Sequence, residues 1–189
     1  MPTLKVRPRT LAYYDDVSYT LSDARRINIF GEIGREMTSH IENSLTYMLL
    51  KSPKRPITMY MHTPGGSVID GLAIYDSIMR KRKKTSIDIV VQGASMSMGV
   101  VILQAATKRY ATPNSQFLLH EVSYGQRAHL SGQEDDLIQA KKLQETLDHI
   151  ITARSGMAPA ELKELIKRRD YSISATEALK HNLIDAILE

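Results

Sequence analysis

The sequence predicts an α/β fold built on a mainly parallel sheet. Short alternating apolar stretches are followed by segments with apolar residues at helical spacing, and glycine or proline turns punctuate the junctions. Alternation of strand and helix implies crossover connections, which are right-handed and leave consecutive strands parallel. The chain has 189 residues, 42% of them hydrophobic, enough for one domain with a buried core.

The elements follow in order. Leu4, Val6 and the Pro8 region suggest an extended arm over residues 1–20. Arg26–Gly31 alternates and stops at glycine, as a short strand does. Met37, Ile41, Leu45, Met48 and Leu49 place a helix over 35–51. Ile57–Met61 is a second strand, ended by Thr63-Pro64-Gly65-Gly66. Val68 to about Lys81 is a helix, with Ile69, Leu72, Ala73 and Ile78 expected on its packed side. Ser86–Val91 is a third strand, expected to break at Gly93, and an apolar helix starts near Ser97 and runs to about Ala106. Arg109–Ala111 and Phe117–His120 are further short strands. A long amphipathic helix runs from Gly132 to about Ser155, with Leu137, Leu143, Leu147, Ile150 and Ile151. A short helix with Pro159 in its first turn ends near Lys167. Ser174-Ala175-Thr176-Glu177 has the capping-box pattern that opens a last helix.

Composition excludes several classes. There is no cysteine, so disulfides, thiolate metal centres and a cysteine nucleophile are ruled out. No H-E-x-x-H or clustered ligand spacing supports a metal, and no G-x-x-x-x-G-K-[ST] supports a nucleotide. No cofactor is expected. No apolar run approaches the roughly 20 residues of a membrane span, and no apolar signal core precedes residue 20. The default compartment is cytoplasmic. The net charge is +4, and the densest basic run is Arg80-Lys81-Arg82-Lys83-Lys84. Such a run can touch nucleic acid. The plainer reading is a helix end, where cations complement exposed carbonyls. Aromatic residues are only 6%, which supplies no base-stacking surface.

Four features carry chemistry. Gly93-Ala94-Ser95-Met96-Ser97-Met98-Gly99 lies between an apolar strand and an apolar helix. A serine on such a turn presents its hydroxyl beside the unpaired N–H groups of a helix start, which a tetrahedral oxyanion needs. The match to a G-x-S-x-G elbow is imperfect about both Ser95 and Ser97, and an N-cap serine is the plainer reading. Pro64-Gly65-Gly66-Ser67 can admit another backbone and present N–H groups, or be a simple turn. Of the six histidines, His120 lies at the C-terminal end of a strand, where α/β sites gather. Asp170 sits between arginines and Tyr171, as a solvated loop carboxylate would.

These features occur in an order that resembles the ClpP family, the proteolytic subunits of Clp proteases. The resemblance rests on Pro64-Gly65-Gly66-Ser67-Val68, Gly71 with Ala73-Ile74-Tyr75-Asp76, Ala94-Ser95-Met96-Ser97-Met98-Gly99, Pro113-Asn114-Ser115, Leu119-His120, Ser174–Leu179 and Asn182–Asp185. It implies the ClpP/crotonase fold of repeated β-β-α units. It also implies one catalytic domain over 21–189, with a protruding handle over about 121–156. It implies Ser97 as nucleophile, His120 as general base and Asp170 as the carboxylate that orients the histidine. Gly66 and Met98 match the oxyanion-hole N–H donors. Val68, Ile69 and Gly125 match substrate-binding positions, and Tyr60 and Leu188 match the ATPase-docking rim. The implied activity is serine endopeptidase action on unfolded proteins and peptides inside stacked, seven-membered rings. An AAA+ unfoldase of the ClpX, ClpA or ClpC kind would feed them. No nucleic-acid or membrane partner is implied.

Some positions depart from the family pattern. Ser95 and Met96 stand where alanines are usual. Glu121 and Val122 follow His120 in place of Gln-Pro, and Tyr124-Gly125 replaces a glycine pair. Two other readings are a catalytically silent ClpP-like ring subunit and a crotonase-fold acyl-CoA enzyme. The second leaves the serine, histidine and aspartate without a joint role.

Overall fold

The computed structural model describes residues 21–123, 133–167 and 170–189. Strands β1 (Arg26–Phe30), β2 (Ile57–Thr63) and β3 (Ile87–Met96) alternate with helices α1 (Arg35–Lys51) and α2 (Val68–Lys81). The short helix α3 (Met98–Leu103) leads to β4 (Arg109–Ala111) and β5 (Gln116–Leu119). Then come α4 (Gln133–Ser155), α5 (Pro159–Ile166), β6 (Tyr171–Ser174), α6 (Ala175–Lys180) and β7 (Ala186–Ile187). The sheet order is β1-β2-β3-β4-β7, all parallel, with β5 also parallel to β3 and β6 antiparallel to β5.

Both α1 and α2 occupy the predicted spans. The packed side of α2 differs. Gly71, Ile74, Ser77, Ile78 and Lys81 are buried, while Ile69 and Ala73 face solvent. The helix approaches the core at Gly71, where a Cβ would stand 2.4 Å from Met98 Cε, and that contact sets the buried stripe.

Gly93 does not end β3. The strand continues to Met96 because Gly93 adopts φ +96°, which lets the backbone turn and exchange neighbours. Ile89–Val91 pair with β4, and Ala94–Met96 pair with β5. Periodicity also missed β6 and β7. They have four and two residues, and pairing across the fold, not apolar alternation, makes them strands. After α3, N–H bonds from Gln104, Ala105 and Ala106 to carbonyls three residues back carry the tight winding to Ala106. Ser174 and Glu177 form the expected capping box of α6.

The core is aliphatic. Ile29, Met59, Met61, Ile89 and Val91 lie within the sheet, covered by Ile41, Leu45 and Ile74 from the helices. On α4 the apolar stripe divides. Leu147, Ile150 and Ile151 are buried, whereas Leu137 and Ile138 are exposed. The predicted start of this helix at Gly132 lies outside the described residues, as do the arm over 1–20 and Gly125.

The basic run also divides. Lys81 is buried and pairs with Glu42 at 2.6 Å. Arg82 donates to the Ala105 and Ala106 carbonyls at 2.9 Å, closing the end of the turn after α3. Arg80, Lys83 and Lys84 are exposed.

Candidate active site

The parallel sheet collects its loops at the C-terminal ends of β2, β3 and β5, and the candidate residues lie there. Ser97 joins β3 to α3 with φ 53° and ψ −120°, a left-handed backbone rare for a non-glycine residue. Its N–H donates to the Leu118 carbonyl at 2.8 Å, and its carbonyl accepts from Val100 N–H at 3.0 Å. It is the N-cap of α3, but its hydroxyl makes no cap bond. The side chain is therefore free for the cleft. Ser95, two residues earlier, is fully buried and donates to Met61 Sδ at 3.2 Å.

The Gly65-Gly66 turn is built for close approach. A Cβ on Gly65 would lie 2.6 Å from Ser97 Cβ and 2.8 Å from the Met96 carbonyl oxygen. On Gly66, at φ +146°, it would lie 2.3 Å from the Ile33 carbonyl oxygen. Ile33 N–H donates to the Gly65 carbonyl at 2.8 Å, and Ser67 N–H to the Ile33 carbonyl at 2.9 Å. Gly66 N–H is left out of this exchange. Among the described residues neither it nor Met98 N–H donates a backbone hydrogen bond.

A cavity of about 100 Å³ opens at this turn. Gly66, Val68, Ser97, Met98, Leu119 and His120 line it. Ile69 is 65% exposed and lies outside the lining. Glu121 borders the cavity beside His120, so strand alternation has ended by that point.

Asp170 precedes β6. The antiparallel ladder ends at Leu119 opposite Tyr171, so His120 and Asp170 are the residues just beyond this last pair. Fifty residues of sequence separation are thus closed by one strand pair. Asp170 is exposed, and among the described residues no hydrogen bond joins Ser97, His120 and Asp170. Tyr60 lies on β2 under the Arg26 guanidinium, 3.6 Å from the ring centre, and Leu188 is 39% exposed beyond β7.

Two polar residues of the cavity wall escaped the motif reading. Gln144 on α4 accepts from Val122 N–H at 2.6 Å and donates to Asp148 Oδ1 at 2.7 Å. Their one available signal is the i, i+4 polar pair facing inward near Leu147 and Ile151. Among the described residues no group of three or more histidine, aspartate or glutamate side chains could hold a metal. No helix there is long and apolar enough to cross a membrane.

A serine hydroxyl left free on a strand-to-helix turn, next to a histidine and two unpaired N–H groups, is the arrangement of a serine peptidase on an α/β sheet. Residues 9–189 match the family model described as Clp protease. The ATP-dependent Clp protease proteolytic subunit of Deinococcus radiodurans is 36% identical over 182 residues, covering 93% of this chain and 85% of that one. The chain belongs to the Clp protease family and is a serine peptidase with the ClpP fold.

Proposed function

We propose that Ser97, His120 and Asp170 form the catalytic triad and that Gly66 and Met98 N–H groups form the oxyanion hole. Ser97 Oγ attacks the scissile carbonyl while His120 takes its proton. The resulting oxyanion lies against the two N–H donors. Collapse breaks the C–N bond, and His120 returns the proton to the leaving amine. Water then attacks the acyl-serine by the same route, which frees the carboxylate product and regenerates Ser97. Asp170 fixes the imidazole tautomer and stabilises the imidazolium. The triad bonds form as side-chain rotation brings the three groups together around a substrate. The observation that carries this reading is the uncapped Ser97 hydroxyl at the cleft, beside His120 and the unpaired N–H groups of Gly66 and Met98.

The substrates are unfolded polypeptides and short peptides, cut inside a chamber of two stacked, seven-membered rings in the cytoplasm. The exposed Leu137 and Ile138 on α4 support self-association, since an outlying apolar stripe seeks cover. The relative's name says that it is ATP-dependent, and an AAA+ unfoldase would serve this chain in the same way, docking at Tyr60 and Leu188. Unfolding a substrate domain works against roughly 5–15 kcal/mol, which peptide hydrolysis does not supply.

A fluorophosphonate probe tests the centre of the proposal. It should label the wild-type protein and Ser95→Ala but not Ser97→Ala. Labelling of Ser97→Ala, or none of the wild type, would overturn the assignment.

A further inference from the structure

The cavity at Ser97 has a charged wall that the catalytic reading does not use. Asp148 is only 6% exposed, yet it borders both this cavity and a second one of about 270 Å³ beyond it. One carboxylate oxygen accepts from Gln144. Among the described residues no cation pairs with the carboxylate, and its second oxygen has no hydrogen-bond partner. That oxygen is not sealed from solvent, so an incoming donor can reach it, and a largely buried carboxylate gains from such a donor. The described lining of the Ser97 cavity contains no lysine or arginine, and the nearby Lys163 and Lys167 border the second cavity. Val100, Val101, Leu147, Ile151, Leu162 and Ile166 give the same lining an aliphatic part. The cavity that holds Ser97 thus combines apolar wall with an acid.

We propose that Asp148 makes this cavity a subsite for arginine, and more weakly lysine, at the residue whose carbonyl Ser97 attacks. The inference rests on the Ser97 reading of the active site. The acyl residue is the one concerned because its Cα is bonded to the attacked carbon, and its side chain therefore starts at the mouth of the cavity. The stem of arginine suits the aliphatic walls while its head seeks a carboxylate. Its planar guanidinium can pair bidentately and is less strongly hydrated than an ammonium, so it loses less on entering. Lysine supplies charge without that geometry.

Burial raises the Asp148 carboxyl above its ordinary range. The Gln144 hydrogen bond and Lys163 oppose the rise, and Glu121 and Glu145 add to it. The groups facing Asp148 are His120 and Glu121 after β5, Gln144 and Glu145 on α4, and Lys163, Glu164 and Lys167 at α5. The arginine preference should therefore hold above the Asp148 titration and fade as pH falls through it. An arginine-to-leucine ratio cancels any pH effect on the catalytic step that both substrates share.

The test uses the full chain and fluorogenic peptides that differ only in the acyl residue: arginine, lysine, leucine or glutamate. In the wild type kcat/KM for arginine should exceed that for leucine by about tenfold or more, the range of a hydrogen bond to a charged group, with glutamate slowest. Asp148→Asn should lower that ratio by a similar factor. If Asp148→Asn does not fold, the wild-type ratio measured against pH decides. A ratio that favours leucine in the wild type, or one unmoved by both Asp148→Asn and acidification, would overturn the subsite. Fluorophosphonate labelling run in parallel separates the two levels. Labelling without an arginine preference defeats the subsite alone, and no wild-type labelling defeats the Ser97 reading and the subsite with it.

Discussion

The two ends of the parallel sheet treat their polar groups in opposite ways. At the C-terminal ends of the strands, Ser97 lacks a cap bond, and Gly66 and Met98 N–H groups donate to no described residue. At the N-terminal ends most buried polar groups are paired, with Arg154 Nε an exception. Arg109, 2% exposed, donates to Asp185, Gln104 and the Asn182 carbonyl at 2.6–2.9 Å. Burial disfavours ionisation of Asp185, but hydrogen bonds from Arg109 outweigh it and hold the carboxyl below its usual range. Lys81, Glu42 and Ser77 make a second closed cluster between α1 and α2. Paired groups hold the sheet together, and unpaired groups at the cleft are left to bind what the chain does not contain.

Substitutions can break or sharpen this contrast. The largest effect is expected from Ser97→Ala, which should lower peptide hydrolysis by about 10⁴-fold or more, leaving the residual rate of a triad-less site. Its unfolding midpoint should stay close to wild type, because the lost hydroxyl pairs with nothing among the described residues. Asp170→Asn follows, with a loss on the order of 10²–10⁴-fold in kcat, since the imidazole would lose its orienting anion. Chemical denaturation should again show little change. A large stability loss in either variant would dissolve the distinction between the two ends.

At the paired end the order reverses. Arg109→Leu should cost about 3 kcal/mol in urea unfolding by stranding Asp185 and Gln104, while activity per folded molecule changes far less than in Ser97→Ala. Glu42 offers a smaller, pH-resolved effect. Lys81 and Ser77, against the opposing effect of burial, lower its carboxyl from 4.5 to about 2. A depressed folded-state value means that the stabilisation is present above pH 4.5 and is lost as pH falls towards 2. Glu42 is 42% exposed, so solvent screens the pair and the difference between wild type and Glu42→Gln should be only about 1 kcal/mol at neutral pH. That difference should shrink over the same acid window. Ser95→Ala should be milder still, below about 1 kcal/mol, because a thioether is a weak acceptor.

Most of this architecture was legible in the chain. The spans of α1 and α2 follow from apolar spacing, because the helix period is a local property. The capping box at Ser174 is local too. The candidate site was readable as separate motifs, each at a strand end. Gly93 was misread because its left-handed backbone permits β3 to bend as well as to stop, and the partner strands decide which. The packed face of α2 was displaced because Gly71, which carries no hydropathy signal, is the point of closest approach.

The sequence by itself determined the family and the alternation of strands and helices, and it supplied the residues proposed to be catalytic. Those depend on residue types at short spacing. Only the tertiary structure decided which serine faces the cleft, since Ser95 and Ser97 share the same local context and differ by one left-handed turn of backbone. It alone brought His120 and Asp170 to the same end of the β5–β6 pairing, which no periodicity announces. It alone divided Arg80–Lys84 into buried Lys81, bonded Arg82 and exposed neighbours, and brought Asp148 to the cavity wall. In each case the deciding interaction joins residues far apart in sequence, and such contacts exist only after the chain has folded.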